Sequence, residues 1–206
     1  EKAGFNNIED CIFKLKECHQ LLNEIISILK YNLENIDFKE KEMKLDYPCP
    51  LKLHSRYSMA EVLAAFEEHK LNYKSSFREG VKYLEKKKTD IFFITLNKSE
   101  KDYSETTMYD DYAIDDEYFH WQSQSGTSDT SPTGQRYINH ESLGSKVILF
   151  VRERKSVNGI TEPYYCLGTA KFVRYEGSKP MSIVWELDNK MPEFIKKKAS
   201  GNVMVG

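Results

Sequence analysis

YYCLGTAKFVRYEGSKPMSIVWEL, Tyr164 to Leu187, reads as two long strands joined by a turn. Tyr164 to Tyr175 and Met181 to Leu187 are dense in β-branched and aromatic residues, and Gly177-Ser178-Lys179-Pro180 between them supplies the turn. The same enrichment recurs in Val81 to Leu84, Asp90 to Leu96 and Lys146 to Arg152, so a sheet is the expected framework of the C-terminal part. Upstream the period changes. Ile8, Cys11, Leu15, Cys18, Leu22, Ile25 and Leu29 alternate three and four apart, which predicts one helix from about Asn7 to Leu33 with a narrow apolar stripe. Ser58-Met59-Ala60-Glu61 is a capping-box pattern that starts a helix expected to run to about His69. Asp115 or Asp116 is placed to cap a single helical turn, and Pro192 to Lys198 reads as a short basic helix. The expected class is α+β, with residues 1–47 a helical segment and residues 48–206 a domain built on a mostly antiparallel, strongly curved sheet or barrel.

Composition narrows the classes. A chain of 206 residues with 40% hydrophobic content can bury one good core, and no apolar run reaches the roughly 20 residues that cross a bilayer. A cytoplasmic protein without a membrane partner is the expectation. Cys11, Cys18, Cys49 and Cys166 form no CxxC pair and are read as reduced packing residues, so no metal or other cofactor is expected. A formal net charge of −2 argues against holding nucleic acid by bulk charge. The distribution is uneven, with residues Glu100 to Glu117 acidic and the part from Arg136 onward basic. A chain that begins at Glu1 is expected to be a piece of a longer protein.

The segment most suited to chemistry is Phe119-His120-Trp121-Gln122-Ser123-Gln124, followed by a Ser/Thr/Gly-rich stretch to Gln135 that is expected to be a loop. Strand alternation sends Phe119 and Trp121 to the core and leaves His120, Gln122 and Gln124 on the other face, where amides can meet a base edge. Tyr137 adds a flat ring to that cleft, and Tyr109 with Tyr112 is placed to line a pocket opposite it. Arg136, Arg152 and Arg154 carry the planar fork that suits phosphate, and Lys179 in the turn is a further phosphate contact.

The order of Leu53-His54-Ser55-Arg56-Tyr57, Arg78-Glu79-Gly80-Val81, Phe93 to Lys98, Tyr103-Ser104, Thr106 to Tyr109, FHWQSQ, GQRYI from Gly134, LFVRE from Leu149 and the 164–187 stretch resembles one known family. It is similar to the uncharacterised C-terminal domain of bacterial DEAD/DEAH-box helicase-like proteins, whose longer members often begin with a phospholipase-D-like nuclease domain. The resemblance spans about Pro50 to Leu187. It implies a DNA-translocating machine of restriction or defence, with DNA and the remainder of the parent chain as partners. The barrel expectation is sharpened by analogy to PUA-like and SRA-like folds, some of which hold a flipped base. The chain has no GxxxxGK[ST] loop and no HxK pair, so it is expected neither to hydrolyse ATP nor to cut DNA by those routes.

These lines point to a non-catalytic DNA-recognition module, reading a modified or flipped base. Two other classes stand beside it. A divalent-metal nuclease would draw on Asp90, Asp110, Asp111, Asp115 and Asp116, although the D…(D/E)xK order is not visible; an assembly module would use the Ile8 to Leu29 stripe. His120 and His140 as an acid/base pair lack an evident nucleophile.

Overall fold

The computed structural model of the protein describes residues 7–34, 41–68, 80–97 and 111–200. The chain divides into two compact units, Glu1–Lys39 and Glu40–Gly206. In the first, the single expected helix is two: α1 (Ile8–Glu17), capped by Asn7 accepting the Asp10 N–H, and α2 (His19–Glu34). The break falls at Cys18, whose ψ of 70° leaves the helical region. No residue of either helix is buried.

The second unit holds β1 (Lys41–Glu42), β2 (Lys52–Leu53), β3 (Arg56–Tyr57), α3 (Met59–Ala65), β4 (Val81–Leu84), β5 (Thr89–Thr95), β6 (Tyr112–Ala113), β7 (Tyr118–Gln122), α4 (Pro132–Ile138), β8 (Lys146–Arg152), β9 (Ser156–Val157), β10 (Ile160–Thr161), β11 (Tyr164–Glu176), β12 (Ser182–Leu187) and α5 (Glu193–Ala199). Eight of these strands form one sheet in the order β4-β5-β8-β11-β12-β7-β6, with β3 pairing to β11. Only β5 and β8 run parallel. The α+β class therefore holds; among the described residues the sheet ends in β4 on one side and β6 on the other, and no closed barrel is shown.

β11 is the spine, and it changes neighbours along its length. Its first part pairs with β8, from Tyr165 opposite Val151 to Ala170 opposite Val147; its last part pairs with β12, from Ala170 opposite Leu187 to Glu176 opposite Ser182. Two register slips punctuate it, one between Cys166 and Gly168 and one between Phe172 and Arg174. The first requires glycine: Gly168 has φ +87°, and a Cβ there would stand 2.4 Å from Leu53 Cδ2.

β5 and β8 are buried along nearly their whole length, which is why they read as unbroken apolar runs. Phe92, Ile94, Val147, Leu149 and Val151 face one core, with Phe119, Trp121, Tyr137 and Trp185 and with Ile195 and Ala199 of α5. Ile91, Phe93, Ile148 and Phe150 face the other, under Val62, Leu63 and Phe66 around α3 and under Met43, Leu51 and Leu53. The Ser58–Glu61 capping box forms at α3 as its spacing dictates, but the helix stops at Ala65, short of His69, because Glu67 turns left-handed at φ 65°. Asp115 caps no helical turn; its Oδ1 accepts the N–H groups of Glu117 and Tyr118 and so starts β7. All four cysteines are free, and burial pushes the Cys166 thiol up to about 12. Among the described residues no helix is long and apolar enough to cross a membrane.

Candidate nucleic-acid interface

β7 obeys its alternation. Phe119 and Trp121 lie in the core, Trp121 stacked on Phe92 with ring centroids 4.1 Å apart, and His120 and Gln122 point to the opposite face. Register carries that face across three further strands. Tyr112, His120, Val184 and Arg174 form one row; Gln122, Ser182 and Glu176 form the next; Tyr118, Glu186 and Lys171 form a third. Nine of these ten residues are polar or tyrosine side chains outside both apolar cores; the tenth, Val184, is buried at 7% exposure. The sheet is thus cored on both sides through β5 and β8, while through β7 and β12 the described residues on one side are polar apart from the buried Val184.

On that surface the His120 imidazole stacks on the Tyr112 ring, centroids 4.7 Å apart and planes 19° from parallel. Beside it the Gln122 side-chain amide donates to Ser182 Oγ at 3.3 Å, and its backbone N–H donates to Asp111 Oδ1 at 2.9 Å. Arg174, exposed on β11, pairs with Glu176, and Lys171 lies 3.6 Å from Asp188. The arrangement offers a flat π surface at a sheet edge, an amide beside it and two cations along the strand: groups that can stack on a base, read its edge and meet a phosphate. Lys171 and Arg174 are visible in sequence as basic residues. Their place opposite His120 is not, because the Phe172/Arg174 slip breaks the simple alternation.

The remaining expected contacts are dispersed. Gln124 lies beyond the end of β7, half-buried, its carbonyl accepting the Thr127 N–H and the Ser123 hydroxyl. The stretch after it is not one long loop. Ser131 caps α4 by accepting the Gly134 N–H, and Pro132 takes the first helical position, a start signal present in the sequence and missed. Tyr137, expected at a cleft, is 1% exposed within the aromatic cluster of Phe92, Trp121 and Trp185, so its ring face is not presented. Arg136 is committed elsewhere. Its Nε and Nη2 donate to the buried Asp90 carboxylate at 2.8 and 2.9 Å, and its guanidinium lies 3.9 Å from the Tyr83 ring centroid. Burial raises the Asp90 carboxyl above its ordinary value while the Arg136 fork pulls against that rise.

Arg152 and His120 do not border one surface. Arg152 sits beside the first residues of β11, whereas His120 aligns through Val184 with Arg174, ten residues further on, a separation of roughly 30 Å at the rise of an extended strand. Arg152 is 8% exposed, its Nε donating to Thr95 Oγ1 at 2.9 Å and its Nη1 to the Glu162 carbonyl at 3.2 Å. Arg154 is exposed next to Glu153. Lys179 is exposed in the β11–β12 turn, where its N–H donates to the Thr127 carbonyl. Tyr109 and Asp110 lie outside the described residues.

The carboxylates have structural uses. Asp90 holds Arg136, Asp111 holds the Gln122 backbone, Asp115 begins β7 and Asp116 lies 3.4 Å from Lys190. Among the described residues no group of three His, Cys, Asp or Glu side chains is arranged to hold a metal ion. His140 is no partner for His120. It is buried on the core side against Trp185, where Nδ1 donates to the Ser145 carbonyl at 3.3 Å and Nε2 accepts the Phe172 N–H at 3.0 Å. Burial lowers its basicity and keeps it neutral for that acceptor role.

No curated protein matches the chain. A family model described as "Domain of unknown function (DUF3427)" matches residues 51–198, from just before β2 into α5. The match takes in every strand of the eight-stranded sheet, the polar face around His120 and both cores apart from Met43 and Ala199. It leaves out α1, α2 and β1. The unit built on the spine strand β11 is thus the family's domain, and the chain belongs to the family of domains of unknown function DUF3427.

Proposed function

We propose that this chain is a non-catalytic DNA-recognition module of a helicase-nuclease protein of restriction or defence, and that it reads an unpaired, modified or flipped base. The observation that carries this reading is the Tyr112–His120 stack beside Gln122, on a sheet face whose described side chains are polar except for the buried Val184. A base laid on Tyr112 or His120 gains roughly 1–3 kcal/mol of stacking, and Gln122 can turn its amide from Ser182 to the base edge. Arg174 and Lys171 follow along β11 as contacts to the adjoining phosphates. A double helix hides its base faces, so this geometry favours a single strand or an extruded nucleotide. Titration of the chain against plain and modified DNA at two salt concentrations tests the reading, and absence of binding to all of them at low salt ends it.

The nuclease alternative is weaker, since Asp90, Asp111, Asp115 and Asp116 each already hold a structural partner. The assembly alternative keeps one observation in its favour: Ile8, Phe13, Ile28, Leu29 and Leu33 are all more than half exposed. Its test is the oligomeric state with and without residues 1–39.

A further inference from the structure

The first two residues of β11, Tyr164 and Tyr165, point to opposite faces of the sheet, and each ring is met by cations. Arg152 stands over Tyr164, with Cζ 4.3 Å from the centroid. Two cations share Tyr165: Arg56 of β3 at 5.2 Å and Lys198 of α5 at 5.3 Å. Lys198 Nζ also donates to the Tyr165 hydroxyl oxygen at 3.1 Å. Among the described residues none of these three cations has a carboxylate within ion-pair distance, although most other basic side chains of this unit that contact a partner have one.

We infer that Arg56, Lys198 and the Tyr165 hydroxyl form a phosphate-binding corner, distinct from the His120 face. The chemistry is convergent. Two like charges held on one ring repel each other, at a separation that the ring geometry limits to about 10 Å, and an anion between them removes that repulsion. The Tyr165 oxygen accepts from Lys198, which leaves its own O–H to donate outward. Lys198 keeps further N–H donors, and Arg56 makes no side-chain hydrogen bond among the described residues, so its full fork is open. Lys197 on the same helix turn adds to the positive field, while Lys196 is offset by Glu193 at 3.8 Å. Arg152, on the reverse face of the same strand end, reinforces it.

Assignment of a phosphate follows from the corner itself, whereas its assignment to a nucleic-acid backbone rests on the reading above. Along β11 the corner lies nine residues from Arg174, the position in line with His120, or roughly 30 Å. At the rise of about 3.4 Å of a stacked strand that is about nine nucleotides; drawing the strand out lowers the number and the opposite facing of the two sites raises it. A short oligonucleotide reaches one site only; a long one reaches both.

Two measurements on the chain separate the possibilities. Pyrophosphate is titrated at low ionic strength and followed by the nitrogen-15 NMR signals of the Arg56 Nε–H and the Tyr165 and Lys198 amides. Labelled single strands of about 6 and about 20 nucleotides are titrated by fluorescence anisotropy. Each is repeated with R56A/K198A and with the charge-matched control K44A/K86A, all exposed positions whose replacement leaves the cores intact. The expected result is that pyrophosphate moves the corner signals, that R56A/K198A weakens its binding about tenfold while the control does not, and that the same variant weakens the long strand but not the short one. Unmoved corner signals, or equal losses in the control, overturn the corner. Strand binding indifferent to R56A/K198A at both lengths overturns its backbone role and leaves the His120 reading intact. Pyrophosphate binding without any strand binding keeps the corner and removes the nucleic-acid reading.

Discussion

His140 Nε2 accepts the backbone N–H of Phe172 at 3.0 Å, at the point where the β11–β12 register slips. A slip leaves a backbone donor without a ladder partner, and here a side chain from beyond α4 supplies the acceptor. Only the neutral ring can do so. The folded-state basicity of His140 is lowered, first by burial, against the opposing Ser145 carbonyl and the carboxylates of Glu141, Asp90 and Asp188.

Stability should therefore depend on pH through this ring. With the folded value below the unfolded one, the unfolded chain binds the extra proton, so the contribution is present above the unfolded value of about 6.5 and is lost as pH falls below it. The slope for one proton is at most about 1.4 kcal/mol per pH unit. Urea unfolding from pH 7.5 to 5 should show that fall in the wild type and a flatter profile in His140→Gln. Parallel profiles would mean that His140 does not carry it.

Asp90 and Arg136 tie the floor of the sheet to α4 through two parallel hydrogen bonds. Removing either partner leaves the other charge in or near the core, so Asp90→Ala and Arg136→Ala should each cost about 3–5 kcal/mol in urea unfolding. A double replacement by apolar residues of similar size, Asp90→Leu with Arg136→Met, should cost less than either single change.

Gly134 lets α4 lie against the preceding segment. A Cβ would stand 2.0 Å from the Ser128 carbonyl oxygen and 3.0 Å from Met181 Sδ, and the carbonyl is backbone that cannot swing aside. Gly134→Ala should destabilise by about 1–3 kcal/mol despite alanine's better helix propensity, measured as a fall in the urea midpoint at unchanged slope.

The split of β7 into buried Phe119 and Trp121 and outward His120 and Gln122 was legible because alternation is a local rule. So were β4 and β8, whose apolar runs have clear ends, and the Ser58–Glu61 box. What was not legible is long-range. Nothing local says that β11 leaves β8 for β12 midway, and that exchange is what parts Arg152 from His120. Nor does Gly134-Gln135-Arg136-Tyr137 announce that its arginine has a partner 46 residues earlier in the chain, which turns a phosphate candidate into a structural ion pair. The missed start of α4 was a local error, since Ser131-Pro132 carries both a cap and a first-turn proline.

Tyr137 and His120 should separate stability from binding. Tyr137→Ala empties a site 1% exposed among three aromatic rings and should cost about 3–5 kcal/mol. His120→Ala removes one half of an edge stack and should change the urea midpoint little while weakening any base contact on that face.

The most direct test of the base-reading face is fluorescence anisotropy of a labelled single strand with the wild-type chain and with H120A/Q122A, at low and at moderate salt. The account predicts that the variant binds roughly 10-fold or more weakly, and that the ratio persists at the higher salt because stacking and edge contacts release few counterions. Equal affinities for the two proteins, or a difference that vanishes with added salt, would contradict it.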